Sequence, residues 1–169
     1  MMKHTIMLLL YVLTLAACNQ DKPSAPPPST TPPPPAAPAA TLPSVSLDLL
    51  KNIFEQGTQV DYIFYNYPFT MSLTDKPSIQ FAVRHIAEQP APLKPECKAM
   101  GRVSYQIKGD IVLEGDFYFS TGCTYFVFEK NRVKTYANYM TDEGIKYFNE
   151  QIKNAMQMQQ QMQQKANGQ

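Results

Sequence analysis

The sequence predicts an α+β fold: a short N-terminal helix, six or seven mostly antiparallel strands in one curved sheet, and a long C-terminal helix. Two patterns carry that expectation. Between residues 59 and 137, apolar and aromatic residues recur at every second position, interrupted by short turn signals, as half-buried antiparallel strands require. On either side of that block the spacing changes to three and four, the period of a helix with one apolar face.

Taken in order, Ser46 is placed to cap the first helix, which runs to Gln56 with Leu47, Leu50, Ile53 and Phe54 on its apolar side. Gly57 is its natural stop. Residues 59–66 are aromatic and β-branched and make the first strand, Tyr67-Pro68 breaks it, and 69–73 alternates cleanly. Thr74-Asp75-Lys76-Pro77 reads as a turn, with Ile79, Phe81 and Val83 as the apolar side of the next strand. A proline-bearing loop over 88–96 leads to Cys97. Val103, Tyr105 and Ile107 then share a face, and Lys108-Gly109-Asp110 forms a hairpin turn. Ile111, Leu113, Phe117 and Phe119 continue on one face of a long strand, Thr121-Gly122 turns into 124–129, and Lys130-Asn131 turns into the last strand, 132–137. Thr141 or Asp142 caps the final helix, whose face is Ile145, Phe148, Ile152 and Ala155. Beyond about Asn154 the Met- and Gln-rich run has little to bury, so the helix should project or fray there.

The first residues carry a different kind of information. Lys3 gives a positive start, residues 5–14 are a short apolar core, and Leu15-Ala16-Ala17-Cys18 follows. That core is too short to span a bilayer, which takes roughly 20 apolar residues, and has the layout of a signal peptide. The last four residues resemble the lipobox of bacterial lipoproteins. The resemblance covers only this leader. It implies cleavage before Cys18, acylation of Cys18, and attachment to a membrane through several acyl chains. Asn19, rather than aspartate, after the cysteine implies the outer membrane in the enterobacterial pattern. Residues 23–43 are mostly proline, alanine, serine and threonine. They predict a polyproline spacer that reaches on the order of 60 Å when stretched. The expected organisation is therefore a cleaved signal at 1–17, a lipidated cysteine and tether at 18–43, an α+β domain at 44–154 and a helical or disordered tail at 155–169.

With Cys18 lipidated, Cys97 and Cys123 remain as an even pair in an oxidising compartment, which implies one structural disulfide. Fifteen basic side chains stand against fourteen acidic ones, and loss of Lys3 with the signal leaves fourteen of each. A neutral domain without a basic stripe is a poor partner for nucleic acid or an anionic lipid surface.

The search for catalytic chemistry is mostly negative. After signal removal His85 is the remaining histidine, so any histidine-based triad would have to use it, and a strand-end imidazole satisfied by a neighbour explains it more simply. Serine-elbow and phosphate-loop motifs are absent. Glu114 and Asp116 project on one strand face about 6–7 Å apart at Cα, the separation that a glycosidase pair would use. A solvated strand face accounts for them more cheaply. Calcium at Asp110, Glu114 and Asp116, or copper(I) at Met156, Met158 and Met162, lacks a supporting pattern, and no cofactor or metal site is assigned.

Aromatic residues occupy both faces of the predicted sheet, which leaves Tyr118, Phe126 and Phe128 as candidate binding residues. The function expected is a non-enzymatic binding or assembly module on an envelope lipoprotein, directed at another envelope protein or an apolar ligand. Weak self-association through the C-terminal helix is the further partner expectation. A carboxylate-dependent cell-wall hydrolase, or an inhibitor of a hydrolase, is the alternative.

Overall fold

Ser46 caps the first helix as its position predicts: its side chain accepts a hydrogen bond from the Leu49 amide at 3.3 Å, opening α1 (Leu47–Gln56). Gly57 ends α1 by a close approach. A Cβ there would lie 2.5 Å from the Ile53 carbonyl oxygen and 2.8 Å from a methyl of Ile79, so only glycine lets the two segments meet. These are features of a computed structural model that describes residues 41–167. The lipobox with Cys18, and the tether as far as residue 40, lie outside the described residues.

Two antiparallel strands follow, β1 (Gln59–Phe64) and β2 (Thr70–Leu73). The next segment corrects the sequence expectation. Residues 76–84 form a helix, α2 (Lys76–Arg84), where a strand was expected. Asp75 is its cap, accepting from the Ser78 amide at 3.0 Å, and Pro77 occupies the first turn, where a missing N–H costs nothing. Ile79, Ala82 and Val83 are its buried residues, at helical spacing. Ile79, Phe81 and Val83 also alternate, so over so short a window the two periods coincide, and the Asp-x-Pro start decides.

A second correction follows at once. The segment expected as a loop begins with a strand, β3 (Ile86–Pro90), whose proline sits at the end of an edge strand and removes no interior ladder bond. The remaining elements are β4 (Gly101–Ile107), β5 (Asp110–Ser120), β6 (Cys123–Lys130), β7 (Val133–Met140) and α3 (Asp142–Asn167). The β4–β5 and β6–β7 turns hold both central residues at positive φ: Lys108 and Gly109 in one, Asn131 and Arg132 in the other. That is the geometry of two-residue hairpin turns matched to strand twist.

The seven strands form one antiparallel sheet in the order β2-β1-β4-β5-β6-β7-β3, which makes the domain α+β. α2 carries the chain from one sheet edge to the other. The helices meet the inner face, where Tyr62, Tyr105, Phe117, Phe126 and Phe128 are fully buried with Ile53, Ile79 and Phe148. Part of the outer face has a smaller core of its own. Residues 91–99 cross it as a strap over Tyr118, Tyr125, Val127 and Ala137. A Cys97–Cys123 disulfide, with Cα atoms 5.8 Å apart, and a bond from Lys94 Nζ to the Gly122 carbonyl at 2.7 Å hold the strap down.

Thr141 caps α3, accepting from the Gly144 amide at 3.2 Å. The helix continues to Asn167 and so projects past Asn154, with Met156, Met158 and Met162 exposed. Among the described residues, no helix is long and apolar enough to cross a membrane. Asp75→Ala should lower stability by about 1 kcal/mol, the worth of a helix cap, measured by chemical denaturation; an unchanged midpoint would contradict the α2 assignment.

Candidate functional site

Antiparallel pairing sets facing residues side by side on one sheet face. On the outer face this builds two rows that cross six strands. One runs Ser72, Asp61, Ser104, Glu114, Glu129, Lys134. Its neighbour runs Thr70, Ile63, Arg102, Asp116, Val127, Ala137. Val127 and Ala137 lie under the strap, and the polar part of both rows is left open.

Arg102 is the centre of the open part. Its guanidinium reaches Glu114 at 3.0 Å, Glu129 at 3.5 Å and Asp116 at 3.7 Å. Glu114 and Glu129 are direct cross-strand neighbours, an arrangement that repels unless a cation lies between them. Tyr65 donates to Asp116 at 2.8 Å, and partial burial, then this bond, push its hydroxyl up to about 12. Asp61 accepts from Gln59 at 2.8 Å, Ser72 at 2.6 Å and Gln106 at 2.9 Å, so its charge is met by neutral donors.

Two depressions adjoin this cluster and share Ile111 and Glu114. The smaller, about 160 Å³, is walled by Ile63 and Ile111 around Asp61, Arg102 and Ser104. Ile63 and Ile111 are 50% and 56% exposed there. The larger, about 370 Å³, opens where the β5–β6 ladder ends. That ladder stops at Glu114 opposite Glu129, while β5 extends back to Asp110 without a β6 partner. The gap lets residues of both sheet faces line one notch: Glu114 and Glu129 from the outer side, Leu49 and Tyr136 from the inner side, with Lys130 and Asn131 from the turn. An open apolar groove of about 390 Å³ lies elsewhere, between α1, α2 and β3. No family model, curated protein or solved structure matches the chain.

The residues singled out from sequence fall into different places. Tyr118 is on the outer face, stacked on Tyr125 with centroids 4.6 Å apart beneath the strap. Phe126 and Phe128 point the other way and are fully buried in the main core, so their rings offer no surface and the three do not form one patch. Glu114 and Asp116 share a face as alternation requires, but the carboxylate beside Glu114 is Glu129. Sequence reasoning missed Arg102 and Glu129, because their proximity follows from strand order. Among the described residues, no three His, Cys, Asp or Glu side chains are grouped to hold a metal ion.

His85 is not at the open site. It follows α2, is fully buried, and neither ring nitrogen has a hydrogen-bond partner among the described residues. Phe81, Tyr147 and Phe148 surround it, with ring centroids 4.6, 4.9 and 6.0 Å away. Burial, then the positive charge of Arg84, push its pKa down to about 4. Arg84 is itself paired with Glu143 of α3 at 3.4 Å.

Two outcomes follow. The unfolded chain takes up a proton near pH 6.5 and the folded one near 4. His85 therefore contributes full stability above about 6.5, and this falls by about 3 kcal/mol as the pH drops to about 4. His85→Phe should flatten that window in denaturant titrations at pH 4.5 and 7.5; an equal slope in the variant would exclude His85 as the source. Arg102→Ala should cost about 1 kcal/mol, modest because the cluster is partly solvated. Most of that loss should be recovered in Arg102→Ala/Glu129→Gln and should shrink in 1 M salt, where charges are screened within roughly 3 Å.

Proposed function

We propose that the chain is a lipid-anchored protein of the bacterial envelope, held at the outer membrane, whose α+β domain is a non-enzymatic binding module. In this reading Cys18 carries the acyl chains, the proline segment is the spacer, and the open outer face of the sheet receives another envelope protein. The observation that carries it is the open half of that face. Exposed Ile63 and Ile111 flank an ordered ion-pair cluster, giving apolar contact area beside fixed charges. Interfaces use that combination, with apolar contact for affinity and charge for orientation.

From sequence, the hydrolase reading rests on Glu114 and Asp116; the carboxylates that line the notch together are instead Glu114 and Glu129. Glycoside hydrolysis needs one carboxyl as a proton donor and the other as base or nucleophile. Here one guanidinium bonds both, which ties them into an ion pair instead of dividing the roles. His85 is buried away from this surface and supplies no alternative acid or base there.

The test has two arms. Cys18→Ala should abolish incorporation of a fatty-acid label and leave the leader uncleaved on a gel; continued labelling would remove the anchor from the proposal. In the lipidated protein, photo-crosslinking from the outer face should give a discrete adduct in its own envelope. Ile63→Asp/Ile111→Asp, which changes exposed side chains, should reduce that adduct at least tenfold. An adduct pattern identical in wild type and variant would overturn the outer face as the docking surface.

A further inference from the structure

We infer that the notch between the ends of β5 and β6 is a binding site for a neutral saccharide. The inference rests on the reading of the domain as a binding module and gives one of its ligands a chemical class.

The shape comes from the backbone. β5 runs four residues, Asp110 to Leu113, past its last pairing with β6, so that edge has no β6 ladder partner. The resulting space of about 370 Å³ is within the range of small-ligand sites, ~300–1,000 Å³. Its lining includes Tyr136 and Leu49, which pack against the core of the inner face.

The lining selects the chemistry. Glu114 and Glu129 supply carboxylate acceptors, Lys130 supplies donors, and Asn131 and Tyr136 carry groups that do both. Arg102 is shared by Glu114, Glu129 and Asp116, and Lys130 and Lys134, the cross-strand partner of Glu129, add two cations, so three negative charges around the notch stand against three positive. A balanced lining favours neither an anion nor a cation. Leu49 and Leu113 add an apolar wall. A ligand that matches must be uncharged, offer both donors and acceptors around its rim, and have an apolar face: a sugar ring has all three. The carboxylates are held before any ligand arrives, because Arg102 orders them, and Asn131 is fixed in a two-residue turn at φ 53°. Such preorganisation lowers the ordering cost of binding.

The experiment uses the full lipidated chain in detergent micelles, with maltotriose and tri-N-acetylchitotriose as neutral probes and spermidine as a polycation. Saturation-transfer NMR with titration should show saturable binding of at least one saccharide. Asn131→Gly keeps the turn, since glycine accepts positive φ, and removes only the amide; it should weaken binding at least fivefold, as should Glu129→Gln. Met162→Ala, at an exposed position far along α3, should leave saccharide binding unchanged. Absence of saturable binding for both saccharides, binding of spermidine alone, or wild-type affinity in both notch variants would overturn the inference. If no saccharide binds while the crosslinked adduct persists and still depends on Ile63 and Ile111, the notch assignment falls and the binding-module reading stands.

Discussion

Phe148 of α3 enters the inner face between Tyr62 of β1 and Phe117 of β5, with ring centroids 5.3 and 5.1 Å away, and also meets Phe119 at 5.6 Å. Each such aromatic contact is worth about 0.5–1.5 kcal/mol beyond the area it buries. The set joins the C-terminal helix to two non-adjacent strands. Other features depend on that docking. His85 is sealed because Tyr147 and Phe148 close over it. Gly144 is required because any Cβ there would stand 2.9 Å from the His85 Cβ. A buried imidazole with no hydrogen-bond partner among the described residues is tolerable only while neutral, so packing at this junction makes the fold sensitive to acid.

Concentrating the helices on one face creates the problem that the outer face has to solve. A seven-stranded sheet with large rings on both sides cannot leave the second side bare. The chain uses two devices. Over β5, β6 and β7 it lays the 91–99 strap, whose disulfide restrains a segment with few apolar residues of its own. Over β1, β4 and the start of β5 it covers nothing and places polar rows there, with Arg102 relieving the repulsion that Glu114 and Glu129 would otherwise feel. The boundary between the devices passes along one row, from Asp116, which Arg102 reaches, to Val127, which the strap buries.

The fold was legible where one period dominated. α1, the β4–β5 and β6–β7 hairpins and the start of α3 announce themselves through caps, turns and alternation. Residues 76–84 misled because Ile79, Phe81 and Val83 satisfy period two while Ile79, Ala82 and Val83 satisfy the helix, and the cap at Asp75 outweighs the alternation. β3 was hidden by Pro90, which an edge strand tolerates. The site was legible only in part. Alternation placed Glu114 and Asp116 on one face, but nothing local brings Arg102 or Glu129 beside them. That requires the order β4-β5-β6 and its register, which are long-range facts.

Charge shows the same limit of local reading. By composition alone, a near-balance of acidic and basic side chains gives a domain no electrostatic character. Folding distributes that balance unevenly: Asp61 stands among neutral donors, three carboxylates converge on one guanidinium, and Lys130 lines the notch with two of them. Composition constrains the sum, whereas register decides which charges meet. The notch follows the same logic, since it lies where β5 outruns β6 and its chemistry depends on which side chains the register places there. A substitution at its rim can therefore change the chemistry of the lining without disturbing the ladders that shape it, whereas a change in hairpin length would alter the space itself.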